Sequence, residues 1–575
     1  MNSHALFNSV RTVVEMFVKP SFRRGIASAV CGVFLLGACG GGSGDATTTT
    51  ASTTTVPAAP TDLVDCAALI GLESSIDPAL SSDFDSGQVA RAMFDGLVDY
   101  DFSDPLNPEL KPLVADEWSS NADLTSWAFH VRDGLKFSNG DPVLPSSFAV
   151  GWNRAASPGL EASYSYLFSI VEGYSELQSG TATTMSGVVA DDQTMMLTVN
   201  LVTPSPEFPA MVTHPVFSPV PALEIAKLAD QKTWSTGVMV GNGPYMMAKA
   251  ADEIGVSLVP NPEWAGNVYG DTDPILQSIT FRAWIDEATA FTAFENGDCH
   301  IARVPVGQYA EMDSKHAVVD DLLYGSNHFV FGWNDSKVGG EDNLKLRQAI
   351  SLAIDRDRIN EVVYAGNRMV ATGLIPPGLF GYKPDESLFT NKDLDQAKRL
   401  LQEWKDQGNS LTDPLKISFN ANAGQEEVVA LMQEDLNAIG IVTVLDPQSN
   451  DVYFSNLYST GCEQICRAGK LWVYPDASTA LYELFSSETI GNGNLGLYSD
   501  TIFDELANKA LVVADAEERE SLLQQAESRL LNDTTGYLPI TWYSGNYVYD
   551  PKALEELVQT PVGAIEWERV SRRAS

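Results

Sequence analysis

The most regular alternation of hydrophobic and polar residues in this chain lies between Trp127 and Val131. Every second position there is a large apolar residue, which is typical of a strand with one buried face. A turn is predicted at Asp133, which precedes a glycine, and the alternation resumes up to Phe137. A helix is predicted from Pro145, because proline suits the first helical turn. The pattern therefore predicts a hairpin followed by a helix.

Further strands and helices are predicted along the whole chain. Residues 288–305 have the pattern of a helix, a glycine stop and a strand, which is one step of an α/β sheet. The other predicted strands are 64–72, 195–199, 441–445 and 537–543, and the other predicted helices are 346–359, 395–404, 428–440 and 515–531. Mixed elements of this kind predict an α/β protein.

The first sixty residues have the pattern of a targeting segment rather than of a fold. A basic region precedes the apolar run 25–38, which is too short to span a bilayer as a mature helix. Residues 36–39 (LGAC) resemble a bacterial lipobox, which implies cleavage before Cys39 and lipidation of that cysteine. An ordinary signal peptide or an uncleaved anchor is the alternative. Residues 40–60 are Gly, Ser, Thr, Ala and Pro in the main, so we expect a disordered tether.

Length and charge limit the function classes. The chain has 575 residues, which is too many for one hydrophobic core, so more than one domain is expected. It has 76 acidic and 36 basic residues and a formal net charge of -40. Such a negative field repels nucleic acid and acidic lipid headgroups, and we exclude both as partners. A solvated acidic surface explains the charge better than cation binding.

Two strings carry a family resemblance. Residues 127–143 (WAFHVRDGLKFSNGDPV) and 150–158 (VGWNRAASP) resemble the signature of the extracellular solute-binding proteins, family 5, which are the oligopeptide- and dipeptide-binding receptors of ABC transporters. Other strings match in family order over nearly all of the mature chain, among them 89–100 (VARAMFDGLVDY) and 240–245 (VGNGPY). The resemblance implies a two-lobed α/β fold of the periplasmic-binding-protein type (type II, cluster C) with an additional small lobe.

The resemblance also implies an order of domains. We expect a signal peptide over 1–38 and a tether over 39–60, before the folded part begins. The expected lobes are lobe I in three pieces (61–101, 212–326 and 535–575, the last including a C-terminal tail), the small lobe II (102–211) and lobe III (327–534).

The stretch 467–476 (RAGKLWVYPD) is where the resemblance predicts ligand contacts. In the oligopeptide-binding receptors the equivalent string has an aspartate before the tyrosine, and this aspartate meets the peptide's α-amino group. Here that position is Val473, which cannot neutralise an ammonium group. Either Asp476 takes the amine instead, or the ligand has no free amine there. Arg467, Trp472 and Tyr474 remain candidate pocket residues, because aromatic rings give apolar walls and arginine binds carboxylates.

The cysteines suggest an exported protein without a metal. Once Cys31 is removed and Cys39 is lipidated, four remain, an even number in an oxidising compartment. We favour a Cys66–Cys299 disulfide, since both cysteines lie beside strands of one predicted lobe. Cys462 and Cys466 pair only if the chain folds back between them, and a zinc site is the alternative. No Cys-x-x-Cys or His-Glu-x-x-His motif accompanies them, so no metal and no cofactor is expected.

The function that follows is binding rather than catalysis. We expect a monomeric, lipid-anchored extracytoplasmic receptor of an ABC importer, which delivers short peptides to permease subunits in the membrane. A receptor of the same class for an oligosaccharide or another non-peptide ligand is one alternative. An exported hydrolase or an adhesive lipoprotein is another, although no Gly-x-Ser-x-Gly elbow supports the hydrolase. Turnover of substrate would identify a hydrolase, and the lack of a deep cleft would identify an adhesin.

Overall fold

The computed structural model describes residues 62–68, 75–272, 274, 276–309, 312, 316–319, 321–384, 387–421, 423–472 and 474–572. The predicted signal peptide, the predicted lipidation site Cys39 and the predicted tether lie outside the described residues, and so does Val473. Within the described ranges, no helix is both long enough and apolar enough to cross a membrane.

The strands of the described chain are β1 (Asp62–Asp65), β2 (Val98–Asp101), β3 (Glu109–Pro112), β4 (Ala115–Ser120), β5 (Ser126–Val131), β6 (Val188–Asp191), β7 (Met196–Asn200), β8 (Tyr245–Met247), β9 (Gly255–Pro260), β10 (Ser278–Arg282), β11 (Ile301–Arg303), β12 (Ala317–Val319), β13 (Leu322–Phe331), β14 (Met369–Val370), β15 (Leu415–Asn420), β16 (Thr443–Gln448), β17 (Ile465–Leu471), β18 (Tyr537–Ser544), β19 (Tyr547–Tyr549), β20 (Leu554–Glu556) and β21 (Ser571–Arg572).

The α-helices are α1 (Phe84–Met93), α2 (Pro145–Ala155), α3 (Tyr174–Gln178), α4 (Phe208–Met211), α5 (Ala222–Ile225), α6 (Glu287–Glu295), α7 (Leu344–Ala353), α8 (Arg356–Tyr364), α9 (Leu394–Asp406), α10 (Glu426–Ala438), α11 (Asn450–Thr460), α12 (Ala477–Phe485), α13 (Thr501–Val512) and α14 (Ala516–Ser528). Short 3₁₀ turns are Ser165–Ile170, Pro215–Phe217, Gln231–Thr236, Glu341–Asn343 and Ser487–Thr489, and a π-helical turn, Arg529–Asp533, extends α14.

Lobe I is built on a seven-stranded sheet in the order β12-β19-β11-β1-β10-β9-β8. β1 runs parallel to β10 and β11, and the other pairs are antiparallel. One face packs on a core that includes Tyr245 and Trp567, and the other face packs on Phe291 of α6. A disulfide joins Cys66, just after β1, to Cys299, just before β11, with their Cα atoms 6.0 Å apart. This is the pair that the sequence favoured.

The small lobe is built on a four-stranded antiparallel sheet in the order β4-β5-β7-β6. The alternation that the sequence predicted lies in β5, where Trp127, Phe129 and Val131 are buried against Trp152 of α2. The predicted second strand of the hairpin does not form, because only an isolated bridge between Lys136 and residue 142 follows the turn. β5 pairs instead with β4 and β7, whose long-range register outweighs the local turn.

Lobe III is built on a six-stranded sheet in the order β14-β18-β13-β17-β15-β16. Helices cover both of its faces. Alternate residues of β13 divide between two cores, with Phe329 and Phe331 on the side of α7 to α10 and Val330 on the side of α12 to α14. A sheet that is buried on both faces needs nearly continuous hydrophobic strands, as β13 has.

Two lobe boundaries differ from the prediction. Strand β18 was expected in lobe I, but it pairs with β13 and β14 in lobe III, and the return to lobe I begins at β19. Lobe III likewise begins at Leu322 rather than at residue 327. β18 is buried over most of its length, with Tyr537 in one core and Leu538 and Ile540 in the other, so its composition does not tell which sheet it joins.

The two chain crossings between lobe I and lobe III lie side by side. The first runs from β12 to β13 and the second from β18 to β19. The backbone N–H of Gly545 in the second donates to the carbonyl of Asp321 in the first, at 2.8 Å. Short paired crossings of this kind are where two lobes hinge.

The predicted helix over 346–359 is two helices, α7 and α8. The chain is extended at Ile354, and Asp355 then caps α8 by accepting from the backbone N–H of Arg358. In the sequence, the apolar pattern of a helix continues across this break. In the structure, the aspartate cap sets the boundary between the two helices.

Candidate ligand-binding site

A cavity of about 180 Å³ lies where lobe I, the small lobe and lobe III meet. Arg91 of α1 lines it from lobe I, and Tyr164 lines it from the small lobe. His214 contributes from the segment that leaves the small lobe, and Trp472 from lobe III. We call this the Trp472 cavity. Closure of the lobes around a ligand would enclose such a cavity.

Local hydrogen bonds fix the position of α1 and thereby of Arg91. Asp83 caps the helix, and its Oδ1 accepts from the backbone N–H groups of Asp85 and Ser86. The Gln88 amide donates to the carbonyl of Gly563 and accepts from the N–H of the residue after Ala564, both at 2.8 Å. Arg91 has neither a hydrogen bond nor an ion pair with any described residue, and burial lowers the pKa of its guanidinium.

Trp472 is held at the end of β17. Its backbone N–H donates to the carbonyl of Tyr324 on β13, at 2.9 Å. The side chain is 4% exposed, and the indole Nε1 is buried with no hydrogen-bond partner in the described chain. A disulfide between Cys462 and Cys466 closes the turn that leads into β17, with Cα atoms 5.7 Å apart. The chain therefore folds back between these cysteines, as pairing requires.

His214 lines the same cavity as Trp472 and Arg91 and is 8% exposed. Its Nδ1 accepts from the backbone N–H of Val216, at 3.2 Å. Burial, and next the charge of Arg91, lower the pKa of His214 to about 3. The ring is thus neutral at physiological pH with its proton on Nε2, which is a donor.

A second cavity of about 80 Å³ shares Arg91 and His214 with the first. Four carboxyl groups line it, those of Asp95, Asp99, Glu566 and Glu568. Burial raises the pKa of each of them, that of Glu568 to about 7. The indole of Trp264 donates to Asp95 at 2.9 Å. We call this the acidic cavity. Among the described residues, no group of three or more His, Cys, Asp or Glu side chains is arranged to hold a metal ion.

Asp476 and Tyr474 lie in a buried network between the small lobe and lobe III. Asp476 accepts two hydrogen bonds from Arg519, at 2.7 and 2.9 Å, and also caps α12. Arg519 donates in turn to Glu207 of the small lobe, at 2.7 Å, and Glu207 also accepts from Ser478. The Tyr474 hydroxyl is 3.4 Å from Glu207. Burial and the charge of Asp476 raise the pKa of Glu207. We call this the Arg519 network.

Arg467 lies apart from Trp472 on the lobe III sheet. Its Nε donates to the side chain of Asn327 at 3.3 Å, and its Nη2 donates to the hydroxyl of Tyr543 at 2.8 Å. The structure thus distributes the five predicted contact residues. Trp472 lines the Trp472 cavity, Tyr474 and Asp476 belong to the Arg519 network, Arg467 bonds within lobe III, and Val473 is outside the described residues.

A third cavity, of about 240 Å³, has aromatic walls on lobe III. Phe454 and Tyr458 of α11 line it together with Tyr166 of the small lobe, and the ion pair between Lys470 and Glu483 lies at its edge. A pocket of this composition suits an apolar or aromatic group.

The family model for the bacterial extracellular solute-binding proteins, family 5, matches residues 109–492. The chain belongs to this family. Family 5 is a family of substrate-binding receptors. The fold agrees with this family, since it is an α/β fold of two lobes with a small additional lobe.

Individual relatives are similar to this family 5 chain over most of its length. The oligopeptide-binding protein OppA of Bacillus subtilis is 27% identical over 491 residues, covering 83% of this chain and 87% of its own. A probable deoxycholate-binding periplasmic protein of Escherichia coli, YgiS, is 27% identical over 478 residues, covering 81% and 85%. The crystal structure of the ABC transporter substrate-binding protein CtaP of Listeria monocytogenes has a TM-score of 0.74 at 20% identity, covering 89% and 99%.

Sequence reasoning missed two residues of this family 5 site. Arg91 lies in the string 89–100, which carries part of the family resemblance, and His214 lies directly before a proline. A histidine before proline and an arginine in a helix have no special local pattern. Only the tertiary structure places them on the same cavity as Trp472.

Proposed function

We propose that this family 5 protein is an extracytoplasmic, lipid-anchored receptor of an ABC importer. It binds short peptides between lobe I and lobe III and delivers them to permease subunits in the membrane. The observation that carries this proposal is the Trp472 cavity, to which all three lobes contribute side chains. A relative named as an oligopeptide-binding protein, similar over most of the chain, supports peptide as the ligand class.

Binding rather than catalysis fits the arrangement. The paired crossings near Gly545 let lobe III move against lobe I, while the cavity walls come from both. A ligand that contacts both lobes stabilises the closed state by its additional contacts and so shifts the population toward it. The permease would then receive the closed, loaded form.

The aromatic third cavity supports a ligand longer than one residue. It lies on lobe III beside Lys470, which is two residues from Trp472 in the same chain segment. Its walls include the aromatic rings of Phe454, Tyr458 and Phe485. We therefore propose broad side-chain preference at that position, with apolar and aromatic side chains favoured.

A second candidate ligand class is supported by one relative and one residue. YgiS is named as probably binding deoxycholate, which is not a peptide. Val473 also offers no charge to an ammonium group, and the carboxylate of Asp476 is already bound by Arg519. A receptor of the same class for a ligand without a free amine is therefore the alternative.

Thermal unfolding of the full chain tests the ligand class. A mixture of di- to pentapeptides at 100 times the dissociation constant is expected to stabilise the folded state by about 2.7 kcal/mol, since only the folded state binds. Free amino acids, oligosaccharides and deoxycholate serve as comparison ligands. Stabilisation by one of these and not by peptides would reject the peptide assignment while leaving the receptor assignment intact.

A further inference from the structure

Three side chains of the Trp472 cavity are hydrogen-bond donors without an acceptor. Arg91 has no bonded partner among the described residues, and the same holds for Nε1 of Trp472. His214 bonds only through Nδ1 within the described chain, which leaves its Nε2–H unpaired. Arginine and the indole N–H only donate, so these groups need an acceptor that the described residues do not supply.

Several acceptors of the same wall already receive hydrogen bonds. The oxygen of the Gln88 side chain accepts from the backbone N–H of Ile565. One oxygen of Asp83 accepts two backbone N–H groups at the start of α1, and this residue is exposed at the surface. The hydroxyl of Ser81 is bonded to that of Ser86. Three donors of this wall are therefore free within the described chain, whereas these acceptors already receive hydrogen bonds.

Leaving buried donors unpaired is unfavourable. A buried donor without an acceptor loses its hydration and gains nothing in return, and a buried charge loses more. Trp472 and His214 are 4% and 8% exposed, so little water reaches them in this structure. A group that accepts several hydrogen bonds and carries negative charge would remove this penalty at all three donors.

The charges around Arg91 also bear on the ligand. Among the carboxyl groups of the acidic cavity, Asp99 acts most directly on the Arg91 guanidinium, but forms no ion pair with it. Burial raises the pKa of Glu568 to about 7, which reduces its negative charge near neutral pH, and burial also raises the pKa of Asp99. Arg91 therefore keeps its capacity for a bidentate bond to a carboxylate.

We propose that the Trp472 cavity binds a carboxylate of the ligand, accepted by Arg91, His214 Nε2–H and Trp472 Nε1–H. On the proposed function, on which this inference rests, the group is the terminal carboxylate of a short peptide. The peptide would then lie with its carboxyl end at α1 and its other residues toward the aromatic third cavity. A free ammonium at Trp472 would find no unpaired carboxylate among the buried residues of this wall.

Isothermal titration of the full chain with trialanine and with trialanine amide tests this. The two peptides differ only in the charge of the carboxyl end. The wild-type chain is expected to bind the acid at least about tenfold more tightly than the amide, since a charged hydrogen-bonded pair is lost. In Arg91→Gln the ratio should fall to within about threefold, because the acid loses more affinity than the amide, and circular dichroism checks that the variant is folded.

Two further variants sharpen the test. Trp472→Phe keeps an aromatic ring and removes the indole N–H. It should weaken binding of the acid more than binding of the amide. Arg358→Gln, at an exposed ion pair with Glu434 on lobe III, is the matched control and should leave the ratio as in wild type. Equal binding of acid and amide by the wild-type chain, or a ratio unaffected by Arg91→Gln, would overturn the carboxylate site and leave the peptide receptor standing. Binding of neither peptide would reject both proposals.

Discussion

At the scale of single residues, the Arg519 network joins two lobes through one cation and two carboxylates. All of its charged side chains are at most 8% exposed. Removal of the cation leaves Asp476 and Glu207 buried without their partner. For Arg519→Met we expect the free energy of unfolding to fall by about 3–5 kcal/mol, as for other broken buried pairs. Urea unfolding followed by tryptophan fluorescence measures the loss.

The control for Arg519→Met is a substitution of an arginine in a solvent-exposed ion pair. The Arg358 side chain, 41% exposed, pairs with Glu434, and Arg358→Met is expected to cost much less than Arg519→Met, because exposed ion pairs contribute little to stability. Equal losses in the two variants would mean that the Arg519 network does not stabilise the contact between the lobes.

Asp65 links stability to pH. Burial raises the pKa of its carboxyl from 3.8 to about 7, and one of its oxygens has no hydrogen-bond partner in the described chain. The folded state therefore binds more protons than the unfolded state between about pH 4 and about pH 7, and stability falls as pH rises through this window. Asp65→Asn should stabilise the protein at pH 8 by roughly 2–4 kcal/mol and have little effect at pH 4.

The measurement for Asp65 is the thermal midpoint of wild type and variant at several pH values. Asp123→Asn, at an exposed turn of the small lobe, is the matched control and should leave the whole profile unchanged. A difference between Asp65→Asn and wild type that stays constant with pH would show that this carboxyl does not change its protonation in the window.

At the scale of elements, the local sequence predicted where a strand or helix forms better than it predicted which sheet or core that element joins. The alternation in β5 and the proline at the start of α2 were sufficient to predict these two elements from the sequence. The sheet that β18 joins was not predictable, because a strand buried on both faces carries no alternation that points to one core. The break between α7 and α8 depended on one aspartate cap at Asp355.

The candidate site was predictable only in part. Trp472 was identified from a family string, and the structure lines a cavity with it. Asp476 was also named from that string, but its partner Arg519 is 43 residues further along the chain, so sequence spacing gave no sign of the pair. Arg91 and His214 were missed for the same reason, since burial and shared walls are tertiary properties.

The two disulfides should contribute unequally to stability. Cys66 and Cys299 are 233 residues apart, whereas Cys462 and Cys466 are 4 apart. In the chain-entropy account the stabilisation grows with the closed loop, from about 2 kcal/mol for the short loop to about 5 kcal/mol for the long one. Calorimetry of the two double Cys→Ser variants should therefore give the lower melting temperature for the Cys66/Cys299 variant.

The short disulfide is expected to stabilise the protein less than the long one. It closes the turn into β17, the strand that leads to Trp472. A melting temperature that falls further for the Cys462/Cys466 variant would contradict the loop-length account and would point to strain or packing around β17 instead.

At the scale of the whole molecule, the proposed anchor places the receptor beside its permease. Cys39→Ala removes the only predicted lipidation site and should move the protein from the membrane fraction to the soluble fraction of expressing cells. Mass spectrometry of the wild-type protein should find the lipid on Cys39. Retention of the Cys39→Ala protein in the membrane fraction, with the leader removed, would reject lipid anchoring.

The net charge of -40 is also a property of the whole molecule. It agrees with a receptor that meets small ligands in solution and does not bind acidic membranes or nucleic acid by its surface. The carboxylate site proposed at the Trp472 cavity is then a local exception in an acidic molecule.

The central claim is that the cavity between the lobes binds short peptides. Native mass spectrometry of the freshly purified full chain, repeated after denaturation, tests it most directly. The account predicts extra, heterogeneous mass on the folded protein that is released on denaturation and resolves into short peptides. A folded protein without extra mass, whose thermal stability peptides then fail to raise, would contradict the claim.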